Sequence, residues 1–79
     1  MRSTTFARRF GEVVRKRRKA AGLTQEQLAE KADLASKMIS LVERFERNPS
    51  LNVADSIAQG LGVPLWQLIR EADNVKHKK

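Results

Sequence analysis

Apolar residues recur at helical spacing almost from the start of the chain. Phe6, Phe10, Val13 and Val14 fall at i, i+4, i+7 and i+8, the stripe of an amphipathic helix. Arg8, Arg9, Arg15, Lys16, Arg18 and Lys19 take its other faces, and Gly22 is placed for the positive φ that ends a helix. The pattern predicts a first helix over about 6–20. Thr24 and Gln27, three residues apart, form a capping-box pair for a second helix over about 25–31, with Leu28, Ala29 and Ala32 inward. Its stop falls at Ala32-Asp33-Leu34, since aspartate tolerates a left-handed backbone.

A third helix fits about 36–44. At 100° per residue, Val42 and Glu43 share a side with Ile39, while Lys37, Ser40, Leu41 and Arg44 cluster opposite. Three of those four are polar or charged. Leu41 is the exception, an apolar residue amid a side suited to entering a groove. Arg47-Asn48-Pro49-Ser50 reads as a loop, because Pro49 disfavours helix at the residue before it. A fourth helix over about 51–60 turns Leu51, Ala54, Ile57, Ala58 and Leu61 inward, closed by Gly60 and Gly62. Pro64 opens a fifth over about 64–72, with Leu65, Leu68, Ile69 and Ala72 at helical spacing. Residues 73–79 read as a frayed, lysine-rich tail. β-branched residues never alternate, and no repeat or linker is visible. The expected architecture is all-α: five helices in one domain covering 1–79, with an ordered core over about 6–72.

Charge sharpens this picture. The net charge is +7, and it is unevenly spread. Residues 1–47 carry twelve Lys/Arg against six Asp/Glu, a balance of +6, whereas residues 48–75 hold one Arg against three acids, a balance of −2. One half is therefore suited to a polyanion and the other is not. A merely solvated basic surface is the plainer reading of charge alone.

Composition excludes several classes. Cysteine is absent, so no disulfide framework or thiolate metal site exists. No metal-ligand cluster, Cys/His pair or glycine-rich phosphate loop is present, which argues against an enzyme and asks for no cofactor. His77, the sole histidine, sits in the lysine tail as neither ligand nor catalyst. No apolar run approaches the roughly 20 residues of a membrane span, and the N-terminus lacks a signal-peptide pattern. A soluble, cytoplasmic protein without membrane contact is expected.

Two short helices joined by a tight turn form a helix-turn-helix unit. The particular residues sharpen it. Gly22-Leu23-Thr24-Gln25-Glu26-Gln27-Leu28-Ala29-Glu30-Lys31-Ala32, then Ile39-Ser40 and Glu43-Arg44, then Asn48-Pro49-Ser50-Leu51, Ile57-Ala58 and Leu61-Gly62-Val63-Pro64, closely resemble the phage repressor/Cro (XRE-like) family. The resemblance covers about 10–70 and implies a lambda-repressor-like, five-helix DNA-binding domain. Within it, the compact length resembles a restriction-modification controller or Cro-type regulator more than a two-domain repressor.

The resemblance implies roles at matching positions. Thr24 and Gln25 open the second helix, and Gln25 touches a phosphate and steadies the reading helix, or serves only its own first turn. The third helix lies in the major groove with Ser36, Lys37, Ser40 and Leu41 toward bases. Arg44, Arg47 and Asn48 match a phosphate-contacting segment. Arg18 and Glu43 match a pair tying the first helix to the end of the third. The chemistry agrees: Lys37 donates to guanine acceptors, the two serines bond most base edges, and Leu41 packs on a thymine methyl.

Three positions depart from the family. Arg17 sits mid-stripe on the first helix, where an aliphatic residue is usual; its stem is expected along the core, with the guanidinium in water. Ala35 replaces a Ser/Thr cap, leaving Ser36 or Asp33 to help. Phe45 replaces a usual glycine and either packs inward or meets DNA. Trp66 beside Leu65 either completes the core or anchors an interface. Family members usually pair through their C-terminal helices, which favours a homodimer through the fifth helix with Trp66 and Ile69. The implied function is sequence-specific regulation of transcription at a pseudo-palindromic operator. The alternative is an antitoxin that clasps a protein toxin and autoregulates its operon; polymerase is a further candidate partner.

Overall fold

The computed structural model describes residues 5–75. In chain order the elements are α1 (Thr5–Ala20), α2 (Gln25–Ala32), α3 (Ser36–Glu43), α4 (Leu51–Leu61) and α5 (Leu65–Asn74). The all-α expectation holds, with boundaries moved by one or two residues. The largest shift is in α5. Pro64 stands before it as an extended N-cap residue, and the helix runs on through Asn74. Asp73 and Asn74 are exposed while Val75 packs against the core, so the inward apolar spacing of Ala72 continues past the expected end. The remaining tail, with Lys76, His77, Lys78 and Lys79, lies outside the described residues.

α1 packs on α3 and α5, and α2 packs on α3 and α4. Val14, Leu28, Ile39, Val42, Ile57 and Leu68 are fully buried where these contacts converge. A core this size rests on few side chains, so the helix ends are closed with care. The Thr24–Gln27 capping box forms, with the Gln27 amide donating to Thr24 Oγ1 at 3.0 Å and the Thr24 amide to Gln27 Oε1 at 2.9 Å. Ser50 caps α4 by accepting from the Val53 amide at 3.1 Å. Ala35 stands before α3 as its N-cap with no side-chain cap bond, so neither Ser36 nor Asp33 takes the missing role.

Four successive helices end in one motif. A residue in the left-handed region follows the last turn, and its N–H and that of the next residue reach back to two adjacent carbonyls of that turn. Gly22 and Gly62 end α1 and α4 with φ of 74° and 78°, whereas Asp33 and Phe45 end α2 and α3 with φ of 58° and 65°. At Phe45 the bonds are Phe45 N–H to the Val42 carbonyl, 3.2 Å, and Glu46 N–H to the Leu41 carbonyl, 2.9 Å.

Three expectations need correction. Leu51 is 75% exposed. It occupies the first residue of α4 and borders a surface groove with Phe6, Pro49 and Ile69, so its helical phase is right but the core does not reach it. Gly60 does not close α4: it lies inside the helix, where a β-carbon would stand 3.0 Å from the Ala32 amide nitrogen. Gly62 alone is the stop, and Gly60 lets α4 approach the end of α2. Arg17 does not simply end in water, though it stays about a third exposed. Its Nε donates to Glu71 Oε1 at 2.9 Å and its Nη2 pairs with Glu71 Oε2, bridging α1 to α5.

Candidate nucleic-acid interface

α3 turns Ile39, Val42 and Glu43 into the molecule. On the other side Ser36, Lys37 and Arg44 are exposed, and Ser40 and Leu41 are half-buried. The polar side predicted at 100° per residue is therefore the open one. Leu41 is partly covered by its neighbours, so what it presents is an apolar shoulder.

The rear of α3 is braced by a buried ion pair. Arg18 Nε donates to Glu43 Oε2 at 2.7 Å and Nη2 to Glu43 Oε1 at 3.0 Å, a bidentate pair with side chains 10% and 3% exposed. The third arm, Nη1, donates to the Leu23 carbonyl at 2.8 Å in the turn before α2. Gln25 Nε2 adds a bond to Glu43 Oε1 at 3.1 Å. These bonds join α1, the α1–α2 turn, the first residue of α2 and the last of α3. Charge-assisted, bidentate geometry fixes direction as well as distance. Among the described residues no buried side-chain polar atom lacks a partner, so the network is complete. Hydrogen bonding to Glu43 and, less strongly, the charge of Glu43 raise the Arg18 pKa against the desolvation that lowers it.

Gln25 thus reaches beyond its own first turn: its amide steadies α3. Thr24, exposed beside it, accepts in the capping box and keeps its hydroxyl proton to donate. Arg47 and Asn48 lie exposed in the loop after α3. Arg44 pairs with Glu46 at 3.0 Å, both side chains more than half exposed. Such a surface pair is weak enough for a phosphate to displace. Thr24 and Gln25 stand at the start of α2, Ser36, Lys37, Ser40 and Leu41 on α3, and Arg44, Arg47 and Asn48 in the segment that follows it.

One local feature was not foreseen, and one open alternative is resolved. A β-carbon at Gly11 would collide with the Val42 carbonyl oxygen and come within 3.2 Å of the Phe45 ring. Gly11 therefore sets how closely α1 meets the end of α3; its signal was an isolated glycine inside a helical pattern. Phe45 turns inward onto that glycine, and the Arg8 guanidinium carbon lies 4.6 Å from its ring centroid. Trp66, by contrast, is 62% exposed and plays no part in the core.

Two short helices about a tight turn, the second braced from behind and polar in front, define a helix-turn-helix domain. The helix-turn-helix family matches residues 14–65. The chain belongs to the phage repressor/Cro (XRE-like) helix-turn-helix family of transcriptional regulators. The immunity repressor protein of Bacillus phage phi105 is 35% identical over 69 residues, 87% of this chain and 48% of the phage protein. The HTH-type transcriptional regulator SinR of Bacillus licheniformis is 31% identical over 69 residues, 86% of this chain and 62% of SinR. The chain thus spans about half the length of the first of these relatives and less than two thirds of the second. Among solved structures, the restriction-modification controller protein C.AhdI from Aeromonas hydrophila aligns with a TM-score of 0.75 at 35% identity, over 78% of this chain and 94% of that one. The wild-type controller protein C.Esp1396I aligns with a TM-score of 0.82 at 29% identity, over 96% and 100%. Among the described residues no helix is long and apolar enough to cross a membrane.

Proposed function

We propose that this chain is a sequence-specific double-stranded DNA-binding regulator, acting in the cytoplasm, that lays α3 in the major groove of its operator. The observation that carries this reading is the contrast between the two sides of α3. A fully bonded buried pair holds the rear, while the front offers Ser36, Lys37, Ser40 and Leu41 to base edges. Thr24, Gln25, Arg44, Arg47 and Asn48 ring that front with donors for backbone phosphates, which supply affinity without sequence preference.

The homodimer belongs to this proposal. Trp66 and Ile69 lie one turn apart on α5, and Ile69 borders an apolar groove of about 320 Å³ with Phe6, Phe10, Pro49 and Leu51. A second copy seated there would place two α3 helices roughly 34 Å apart, reading half-sites about 10 bp apart. Bound near a promoter, the dimer would block or recruit polymerase. The antitoxin reading draws on the same groove, with a toxin as occupant; a monomer in solution that dimerises on no DNA would favour it.

Selection of bound duplexes from a random pool, followed by salt titration, tests the reading. A pseudo-palindromic consensus is expected. Lys37→Ala and Leu41→Ala should cost about 1–3 kcal/mol of discrimination at the base pairs they read. Arg44→Ala should weaken selected and random DNA alike. Equal losses on both DNAs for all three variants would overturn the role assignments, and a pool without consensus would overturn the function.

A further inference from the structure

We propose that Arg8, held on the Phe45 ring, is a further contact to a DNA backbone phosphate, beside the stretch that α3 reads. The inference rests on the DNA-binding reading above.

Phe45 occupies a left-handed position, φ 65°, that disfavours a bulky side chain. Its ring atoms Cδ1 and Cε1 lie 3.2 and 3.3 Å from where a Gly11 β-carbon would stand, so the ring lies on the bare backbone of α1. It also carries the Arg8 guanidinium at 4.6 Å. Among the described residues no carboxylate pairs with Arg8, which is exposed. Its neighbour Arg9 is turned the other way: Nε donates to the Ala72 carbonyl at 2.9 Å, and the guanidinium lies 5.4 Å from the Phe6 centroid.

The location decides what Arg8 would meet. Phe45 directly follows Arg44, which pairs with Glu46, and Arg47 is two residues on, so the guanidinium rests on a residue of the same segment that carries these cations. On the α1 wheel, with Gly11 at 0°, Arg18 lies about 20° to one side, and Arg15 and Arg8 about 40° and 60° to the other. Arg15 is exposed too, so a cationic edge follows the flank of α1 that faces α3. A guanidinium lying over a ring face keeps its N–H donors in its own plane, in the fork that suits a phosphate. Stacking also restricts a long side chain before it binds, so less order is lost on contact.

The test uses the whole chain and two duplexes of about three helical turns, one of random sequence and one from the selected pool. Release of one condensed counterion lowers the salt slope by about 0.9, worth about fivefold in affinity near 0.15 M salt. Arg8→Gln should show both losses equally on the two duplexes. Phe45→Leu keeps Gly11 covered and should lose less, and the double variant should bind no worse than Arg8→Gln alone. Arg8→Gln sits at an exposed site and is decisive by itself if Phe45→Leu unfolds on heating. An unchanged slope for Arg8→Gln, with wild type binding both duplexes, overturns this inference alone. Additive losses in the double variant overturn the positioning by Phe45. A wild type that binds neither duplex overturns the DNA-binding reading, and this inference with it.

Discussion

The two flanks of α1 are held by the same chemistry at opposite depths. Toward α3, Arg18 and Glu43 are almost wholly buried, and each guanidinium arm has an acceptor. Toward α5, Arg17 and Glu71 make a bidentate pair that stays about a third exposed. The arginines are adjacent in sequence and point to different helices because one residue turns a helix by 100°. Their consequences differ by more than their geometry. A buried pair gains little over an apolar replacement, yet losing one partner strands a charge. An exposed pair gains little and loses little. The α3 flank therefore specifies one position of α3, whereas the α5 flank adjusts stability.

Removing Glu43 should give the largest effect. Glu43→Leu leaves the Arg18 guanidinium buried without its carboxylate and should cost about 3 kcal/mol. For a domain of this size that lowers Tm on the order of 15 °C. Arg18→Met with Glu43→Leu should recover most of the loss in urea denaturation. Recovery is the decisive outcome: a double variant as unstable as the single would mean the network is needed for packing, and the flanks would not differ in kind. A smaller effect is expected at Gly11. Gly11→Ala gains about 1 kcal/mol of helix propensity but drives a β-carbon into the Val42 carbonyl. Overpacking of that sort costs about 1–3 kcal/mol, so net destabilisation of about 1 kcal/mol is expected by thermal unfolding. The same change at Gly22 meets no atom within 4 Å, and its cost comes only from the backbone at φ 74°. A stabilised Gly11→Ala protein would show that α1 and α3 are not held in close contact.

The sequence made the helices legible because their signals are local. Apolar spacing, the Thr24–Gln27 box, Gly22 and Asp33 all act within a turn or two of themselves, and each did what its chemistry demanded. The open side of α3 was equally legible, since a helix turns 100° per residue whatever surrounds it. What failed depended on partners distant in the chain. Nothing near Arg17 points to Glu71, 54 residues on, and nothing near Leu51 tells that the core stops short of it. Gly11 and Phe45 illustrate the same limit: a glycine and a bulky residue at a left-handed position are oddities apart and make sense only when α1 crosses the end of α3. The Gln25–Glu43 bond lies between these cases, since the family pattern implied a steadying role and the coordinates supply its geometry.

The smallest effect tests the exposed flank, and pH gives it a sign. The Arg17 hydrogen bonds hold the Glu71 carboxyl below the ordinary carboxylate range, with partial burial working against them and the charges of Arg17 and Lys16 assisting. A carboxylate whose pKa is lower folded than unfolded adds stability that is present above its unfolded value, about 4.3, and disappears as pH falls through the folded one. Glu71→Gln should thus cost less than about 1 kcal/mol near pH 7, the range of exposed pairs. The Tm gap to wild type should close below about pH 4 and narrow in high salt, because the pair is open to ions. The buried pair supplies the control: the deficit of Glu43→Leu at pH 7 should barely respond to salt. A Glu71→Gln deficit that persists in high salt would place this pair with the buried one and erase the difference between the two sides of α1, and one that grows as the pH falls would contradict the lowered Glu71 pKa.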